Sequence, residues 1–286
     1  MDTQLQIKFD RLRELLRGYG SALVAYSGGV DSAFLARVAH DTLGVKALSV
    51  IADTPSLPRR ELAEALELGK QFGFTVRVVK THEFENSDYV ANPPNRCYFC
   101  KHDLFAELLP VAKAENIAVI VYGENASDIG DFRPGADAAK EFQARAPLKE
   151  AGLTKADIRA LSTALGLPTA QKPQMACLSS RVPYGEPVTP QALGMIEAAE
   201  NALWDLGFHD VRVRHHRGGT NGAVPFARIE VAPDQIARLT EESLRETIVN
   251  RLKEIGYAYV ALDLLGYRRG SANEVLPSQS TRITTT

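Results

Sequence analysis

The chain has 286 residues, of which 45% are hydrophobic and 24% are charged, a composition typical of an ordinary soluble globular protein with one large or two modest domains. Its formal net charge of −2 at pH 7 provides no overall basic field, which disfavours nucleic acid as a partner. No apolar run is long enough to span a bilayer and no secretion signal begins the chain, so we expect a cytoplasmic protein without membrane attachment.

Strand and helix patterns alternate up to about residue 150. Apolar runs typical of buried strands lie at Leu23–Tyr26, Ala47–Ala52, Thr75–Val79 and Val119–Tyr122, and amphipathic stretches typical of helices lie at Ala33–Leu43, Arg59–Phe72 and Lys101–Glu115. This alternation predicts an α/β fold in which helices cover a parallel sheet. A ligand is then expected at the carboxyl ends of the strands.

The pattern changes beyond a predicted helix at Thr154–Leu165. A loop rich in proline and glycine, residues 168–190, separates a first domain at 1–167 from a second at 191–277. The second is predicted to be a small α+β domain with helices at Gln191–Leu206 and Glu242–Ile255 and strands near Asp210–His216, Ala227–Val231 and Tyr257–Leu262. We expect a mobile hairpin tip at Arg217–Gly222 and a disordered tail at 278–286.

A glycine-containing loop follows the first predicted strand and consists of Ser27, Gly28, Gly29, Val30, Asp31 and Ser32. Adjacent glycines let a backbone approach an anion closely, and loop amides, the helix N-terminus and two serine hydroxyls supply donors. The loop lacks the spacing of a Walker loop and resembles the SGGxDS loop of enzymes that split ATP into AMP and pyrophosphate, in which Asp31 would help to hold Mg²⁺. The alternative is a turn that caps an ordinary helix, but six matching positions favour binding of ATP.

Polar residues follow two other predicted strands at the same edge of the sheet. The segment Gly123–Asp128 follows the fourth strand, and Gly123 and Asp128 are candidates for contact with the nucleotide or its metal. Asp53, which follows the second strand, is a further nucleotide-binding candidate. For Gly123–Asp128 the alternative is a solvated turn.

The three cysteines provide the second strong signal. Cys97 and Cys100 form a C-x-x-C pair at the start of a predicted helix, and Cys177 lies in the loop 168–190. Such thiols suit metal binding or redox exchange, whereas the alternative is that they are small buried hydrophobic residues. Three thiolates without an evident fourth would suit a 4Fe-4S cluster with one open iron. His102 as a fourth ligand would instead make a zinc site, although such a histidine is more often a solvated surface residue.

Motifs spread over about residues 10–275 together resemble the LarE family of ATP-dependent sulfur transferases. They are the loop Ser27–Ser32, Asp131–Gly135, Pro147–Lys155, Cys177–Arg181 with Pro183–Gly185, Val211–Arg214, and Leu262–Leu264 before Gly266–Arg268. The first of these, the PP-loop, is shared by many synthetases, but the later motifs in this order are more specific. The fold implied is that of the PP-loop ATP pyrophosphatases.

The resemblance implies a two-step reaction on a pyridinium-3,5-biscarboxylic acid mononucleotide, for the nickel-pincer cofactor of lactate racemase-type enzymes. ATP with Mg²⁺ adenylates a carboxylate and releases pyrophosphate, and a sulfur nucleophile then displaces AMP to leave a thiocarboxylate. Activation is needed because a carboxylate is a poor electrophile. The resemblance also implies sulfide or a cysteine desulfurase as the sulfur donor and a homo-oligomer such as a hexamer.

Two routes of sulfur delivery occur within this family. In one-cysteine members the thiol that matches Cys177 gives up its own sulfur and becomes dehydroalanine. In three-cysteine members the thiols that match Cys97, Cys100 and Cys177 hold a 4Fe-4S cluster that carries a replaceable sulfide. This chain has all three cysteines, which favours the cluster route.

Several side chains are candidates for binding the anionic substrate, because a guanidinium matches phosphate and carboxylate oxygens. Arg212 and Arg214 share one face of a predicted strand, and the alternative is that this face is solvated. The resemblance adds Ser180, Arg181 and Arg133 to the substrate site. It also matches Glu200 to a carboxylate of a metal site, but the glycine-rich insert alters the sequence around the partner of that carboxylate, which favours an ordinary surface glutamate on a helix.

Other functions stay open on the sequence alone. A transfer-RNA thiolase or an amidating synthetase uses the same loop, but no RNA-binding module or glutaminase segment is visible. A non-catalytic nucleotide- or zinc-binding module is the third possibility. Asp31 argues against it, because a protein that only binds a nucleotide does not need a carboxylate to hold the metal ion that assists pyrophosphate release.

Overall fold

The chain divides into two compact units. The computed structural model describes residues 2–128, 134–173, 176–268 and 270–276, so Arg133 and the predicted tail at 278–286 lie outside the described residues. The first unit comprises Met1–Tyr89 and Asn95–Ala176, and the second comprises Val90–Pro94 and Cys177–Thr286. The division at Cys177 falls within residues 168–190, and the domain boundaries proposed from the sequence stay a prediction.

The first unit contains a parallel sheet. Its strands in the described residues are β1 (Ala22–Ala25), β2 (Ala47–Asp53), β3 (Val76–Lys80) and β4 (Val119–Tyr122), in the order β3-β2-β1-β4. Helices up to residue 164 are α1 (Thr3–Tyr19), α2 (Val30–Leu43), α3 (Arg59–Phe72), α4 (Ser87–Val90), α5 (Arg96–Ala114), α6 (Pro134–Glu141), α7 (Pro147–Glu150) and α8 (Lys155–Ala164). All three strand pairings are parallel, with Ala25 opposite both Val50 and Tyr122.

Strand β1 is buried along its whole length because helices cover both faces of the sheet. Val24 lies in one apolar cluster with Leu12 of α1 and Phe34 of α2. Its neighbour Leu23 points to the opposite face and lies in a second cluster with Phe105 of α5. This continuous burial explains the apolar run of β1, and the parallel sheet confirms the predicted α/β fold. The run at Thr75–Val79 does not form a buried strand, because β3 lies at the edge of the sheet and three of its five residues are exposed.

The second unit contains a smaller sheet. Its main elements are α9 (Pro190–Asp205), β5 (Arg212–Gly218), β6 (Val224–Glu230), α10 (Ile236–Leu239), α11 (Glu242–Ile255) and β7 (Tyr259–Leu262). Among the described residues the sheet order is β5-β6-β7, with β5 and β6 antiparallel and β6 and β7 parallel. Leu203 of α9 and Leu252 of α11 pack with Val213 of β5 in its apolar core.

The hairpin tip between β5 and β6 is shorter than predicted. The predicted tip, Arg217–Gly222, includes two residues that continue β5, because Arg217 pairs with Pro225 and Gly218 pairs with Val224. Glycine and proline weaken the strand pattern in a sequence, so this paired end is not visible there. In the described part of the chain, no helix combines the length and apolar character needed to cross a bilayer.

Candidate functional site

The order of the first sheet places two loops side by side. The loop Ser27–Ser32 leads from β1 into α2 and on to β2, while β4 borders β1 on its other side. The chain therefore leaves β1 and β4 at a topological switch point, which is where open α/β sheets bind ligands. The segment Gly123–Asp128, which follows β4, meets the glycine loop there.

Hydrogen bonds close the glycine loop on itself. The backbone N–H of Ser27 donates to Oγ of Ser32 at 3.1 Å, the two serine Oγ atoms are 3.0 Å apart, and Ser32 Oγ donates to the carbonyl of Gly29 at 3.2 Å. Helix α2 begins at Val30 with Gly29 as its N-cap residue. The N-terminal N–H groups of a helix attract anions, so this loop has the donors that a phosphate group requires.

Two glycines are required by close approaches of the backbone. Gly28 has a φ of +70°, and a Cβ there would lie 2.7 Å from Cβ of Ala65. A Cβ on Gly123 would lie 3.0 Å from the backbone nitrogen of Ser32 and 3.2 Å from Cβ of Asp31. Gly123 therefore lets the end of β4 approach the first turn of α2.

We expect Gly28→Ala to destabilise the protein more than Gly29→Ala. The left-handed backbone alone costs a non-glycine residue roughly 1–2 kcal/mol, and the overlap with Ala65 adds to that. Gly29 has a φ of −78°, and a Cβ there would meet only Ser27 Oγ at 3.6 Å. Urea unfolding of both variants measures the difference, and equal transition midpoints would contradict it.

Lys155 binds the carboxylate that is predicted to hold Mg²⁺. Its Nζ donates to Asp31 Oδ1 at 2.9 Å and to Oδ2 at 2.8 Å. The backbone N–H of Lys155 donates to Ser127 Oγ at 3.0 Å, and a capping box of Thr154 and Asp157 fixes the start of α8. The carboxylate of Asp31 thus has room beside it for a cation, here the ammonium group of Lys155. This contact could not be predicted from local sequence patterns, because the two residues are 124 positions apart.

The segment Gly123–Asp128 is partly buried. Glu124, Asn125 and Asp128 are all buried, so the alternative of a solvated turn is wrong for these residues. Asp128 Oδ2 accepts the N–H of Asn125 at 3.1 Å, and Glu124 Oε1 accepts from Lys149 at 2.7 Å. These contacts hold the segment in shape, and the nucleotide-binding role of Asp128 stays a prediction.

Asp53 lies at the end of β2 and accepts a hydrogen bond from Arg59, the first residue of α3. The same guanidinium donates to the carbonyl of Leu57 at 2.7 Å. Asp53 therefore helps to fix the β2–α3 connection in this structure. Its role in nucleotide binding stays a prediction.

Cys97 and Cys100 lie in the first turn of α5, three positions apart and on one side of the helix. The side chain of Cys97 is exposed and that of Cys100 is partly exposed. Gly135 of α6 packs against this turn, since a Cβ there would lie 2.9 Å from Cγ of Lys101 and 3.3 Å from the carbonyl oxygen of Cys97. The close packing gives a physical reason for glycine at position 135.

The described residues include no group of three His, Cys, Asp or Glu side chains placed to hold a metal ion. The part of the chain that the structure describes therefore shows no preformed zinc site that includes His102. His102 contacts the ring of Phe142, with centroids 5.0 Å apart, and its Nδ1 is 3.8 Å from Asp103 Oδ1. Cys97 and Cys100 together provide two thiols on one helical turn.

Cys177 is exposed and precedes a 3-10 turn at Leu178–Arg181. The side chain of Arg181 is fully buried and its Nη1 donates to the carbonyl of Cys177 at 3.1 Å and to Ser180 Oγ at 3.0 Å. Its Nε and Nη2 donate to the two carboxylate oxygens of Glu200 at 2.9 and 3.0 Å. Burial opposes the charge of Arg181, but Glu200 outweighs it and the pKa of Arg181 is raised.

Glu200 is a buried ion-pair partner. Besides Arg181, its Oε1 accepts the backbone N–H of Val213 at 3.0 Å, so the side chain joins α9 to β5 and to the turn beside Cys177. The favoured interpretation as a surface glutamate is wrong, since Glu200 is buried. Its metal-binding role stays a prediction.

A second buried arginine supports the same turn. Arg214 Nη1 donates to the carbonyl of Ser180 at 2.8 Å, and its Nε and Nη2 donate to Glu230 at 2.9 and 2.7 Å. Arg212 and Arg214 are both buried, so the alternative of a solvated strand face is wrong. The arginines of two buried ion pairs, Arg181–Glu200 and Arg214–Glu230, thus hold the carbonyls of Cys177 and Ser180 in place.

Arg212 interacts electrostatically with both members of the Arg181–Glu200 pair and with Arg214. Burial and the positive charge of Arg181 lower the pKa of Arg212, although Glu200 opposes the shift. Its Nη1 donates to the carbonyl of Val211 at 2.7 Å, and its guanidinium lies 4.8 Å from the ring centroid of Tyr267. The guanidinium groups of Arg181, Arg212 and Arg214 therefore lie in one region with the carboxylates of Glu200 and Glu230, and Arg228 also donates to Glu230 at 3.0 Å. Guanidinium groups match the oxygens of an anionic ligand.

Comparisons with known proteins bear on the whole chain. No protein-family model matches it. The pyridinium-3,5-bisthiocarboxylic acid mononucleotide synthase of Lactiplantibacillus plantarum is 35% identical over 256 residues, which cover 88% of this chain and 89% of that protein. An uncharacterized protein of Synechocystis sp. is 42% identical over 272 residues, 95% of this chain and 99% of its own. One from Methanocaldococcus jannaschii is 27% identical over 246 residues, 86% and 90% of the two chains.

Proposed function

Because the chain belongs to the family of the pyridinium-3,5-bisthiocarboxylic acid mononucleotide synthase, we propose that it uses ATP to insert sulfur into a pyridinium-3,5-biscarboxylic acid mononucleotide. The observation that carries this proposal is the glycine loop Ser27–Ser32 at the switch point of the parallel sheet. Cys177 is exposed and lies beside a cluster of buried arginines, and a module that only binds a nucleotide would need neither feature.

In the first step a substrate carboxylate oxygen attacks the α-phosphorus of ATP, the bond to the bridging oxygen breaks and pyrophosphate leaves. The glycine loop and the first turn of α2 would bind the phosphates through their N–H groups. Asp31 would hold Mg²⁺, and this carboxylate fits a cation because the ammonium group of Lys155 already binds both of its oxygens. When bound, Mg²⁺ neutralises charge on the departing pyrophosphate.

In the second step a sulfur nucleophile attacks the carbonyl carbon of the acyl-adenylate, and AMP leaves. The guanidinium groups of Arg181, Arg212 and Arg214 would attract the anionic mononucleotide to the neighbourhood of Cys177. The ion pairs of Arg181 with Glu200 and of Arg214 with Glu230 would hold two of these groups in place.

For sulfur delivery we favour a 4Fe-4S cluster held by Cys97, Cys100 and Cys177. The support is that two thiols share one turn of α5 and that the third is exposed. When bound, such a cluster supplies a replaceable sulfur atom. In the alternative, the Cys177 thiol attacks the acyl-adenylate, and loss of its α-proton then breaks the Cβ–S bond, which leaves dehydroalanine and a thiocarboxylate.

The decisive experiment counts thiocarboxylates per chain by mass spectrometry. The protein is reconstituted anaerobically with iron and sulfide, then incubated with the biscarboxylate mononucleotide, ATP and Mg²⁺. Many thiocarboxylates per chain would support the transferase and the cluster. At most one, with Cys177 converted to dehydroalanine, would support sacrifice. No product and no AMP would overturn the proposed function, and transfer RNA would then be tested as the acceptor.

We expect Cys97→Ser to abolish multiple turnover and to leave AMP formation intact, since Cys97 lies in α5 and not in the glycine loop. The same count of thiocarboxylates measures turnover, and quantification of AMP in the same mixture measures the first step. A Cys97→Ser variant that turns over many times, while Cys177→Ser does not, would contradict the cluster route.

We further propose that sulfide or a cysteine desulfurase renews the sulfur and that the chain acts as a homo-oligomer. Adding a desulfurase with cysteine in place of sulfide tests the first point through the same product count.

A further inference from the structure

Asn92 is fully buried and makes an unusual set of contacts. Its side-chain nitrogen donates to the carbonyls of Val182 at 3.3 Å, Pro183 at 2.7 Å and Glu186 at 3.0 Å. Its own carbonyl accepts the N–H of Gly185 at 3.0 Å. Asn92 has a φ of 56°, a left-handed conformation that costs most side chains free energy and that asparagine tolerates.

These contacts join two segments that belong to the second unit. Val90–Pro94 runs through Asn95 directly into α5, so that Asn92 precedes Cys97 by five residues. The residues that Asn92 holds begin at Val182, immediately after the turn that starts at Cys177. A further backbone bond, from the N–H of Val188 to the carbonyl of Val90 at 2.9 Å, extends the contact.

The side chain of Asn92 satisfies backbone carbonyls of residues 182–186, the segment that follows the turn beside Cys177, from the segment that leads into α5. A buried amide in such a network fixes geometry, because each of its hydrogen bonds is lost if either segment moves.

We propose that Asn92 is a positioning residue for sulfur delivery, which holds the chain that enters α5 against the loop behind Cys177. This inference rests on the proposed function. It predicts that loss of the amide uncouples ATP cleavage from sulfur insertion, because the acyl-adenylate still forms but the sulfur atom is misplaced and water hydrolyses the intermediate.

The test compares Asn92→Gly, which keeps the left-handed backbone, with Asn92→Asp, which keeps the shape but replaces the donor by an acceptor. Asn116→Gly is the matched control, since Asn116 is an exposed asparagine with a φ of 51°. In both Asn92 variants we expect AMP formation close to that of the unchanged protein and about 10- to 100-fold fewer thiocarboxylates per AMP, the size of effect that a displacement of about 1 Å produces.

A second measurement does not depend on activity. Backbone hydrogen exchange of residues 182–188 is expected to be about tenfold faster in Asn92→Gly than in Asn116→Gly. Unchanged exchange and an unchanged ratio of thiocarboxylate to AMP would overturn the inference, as would a parallel loss of AMP formation and thermal stability, which indicates a merely structural role. If the unchanged protein makes no thiocarboxylate, the proposed function fails, and faster exchange alone would then limit Asn92 to holding the loop.

Discussion

An Arg181→Met variant is expected to lose about 3–5 kcal/mol of unfolding free energy in the second unit, because removal of one partner leaves the buried carboxylate of Glu200 without its counter-charge. The side chains of Arg181 and Glu200 are 0% and 10% exposed, so water cannot replace the guanidinium. The loss includes the hydrogen bond to the carbonyl of Cys177. Urea unfolding measures it.

The chain provides its own probe for this experiment. Trp204 is the only tryptophan of the sequence and lies on α9, the helix that carries Glu200. Trp204 as a residue is 37% exposed, so its fluorescence is expected to respond when α9 separates from the second sheet. The transition of the second unit can thus be followed without a label.

The matched control is the double variant Arg181→Met with Glu200→Gln. A glutamine at position 200 still accepts the N–H of Val213, but it carries no charge that needs a partner. We expect the double variant to recover most of the lost stability, because a buried ion pair contributes little net stability compared with neutral, well-packed side chains. If the double variant unfolds as easily as Arg181→Met, the unpaired charge is not the cause.

The same variants test the role of this ion pair at the cysteine. In Arg181→Met the carbonyl of Cys177 loses its donor, so alkylation of Cys177 by iodoacetamide is expected to change in rate. Alkylation of Cys97, which lies on α5 in the first unit, is expected to stay the same. The comparison within one sample separates a local effect on the loop from loss of the whole fold.

Local patterns in the sequence were sufficient for the first sheet and the glycine loop. The continuous apolar run of β1 and the position of Gly28 depend on residues close together in the chain, and both were predicted. The helix at Glu242–Ile255 coincides with its prediction for the same reason.

The ion pairs could not be predicted in this way. Arg212 and Arg214 alternate with valines, and such a pattern is the same whether the arginines face solvent, substrate or buried carboxylates. The structure buries both, and the partner of Arg214, Glu230, lies on the neighbouring strand. Pairing of this kind depends on strand register, which no single segment encodes.

Substitution of Lys155 is expected to have the largest effect on the ATP half of the reaction. In Lys155→Met, Asp31 loses both of its hydrogen bonds to the ammonium group, and the positive charge at the N-terminal end of α2 disappears. If the proposed function holds, this charge lies beside the phosphates and stabilises the departing pyrophosphate. Loss of such a preorganised group costs about 10²–10³ in rate, so release of pyrophosphate is expected to fall by that factor.

Lys8→Met is the matched control for this variant. Lys8 donates to Asp157 at 2.7 Å and so forms an ion pair with the same helix, α8, but not with Asp31. Its loss is expected to reduce stability slightly and to leave pyrophosphate release unchanged. Equal rates for the two variants would show that Lys155 acts only on the fold.

A titration with Mg²⁺ distinguishes a lysine that assists the reaction from one that only occupies the metal site. In the unchanged protein a metal ion must compete with the ammonium group for the Asp31 carboxylate. Lys155→Met removes this competitor, so the Mg²⁺ concentration that gives half-maximal ATP binding is expected to fall even as pyrophosphate release slows. Tighter metal binding with unchanged release would mean that Lys155 neutralises Asp31 until the metal arrives and takes no part in the chemistry.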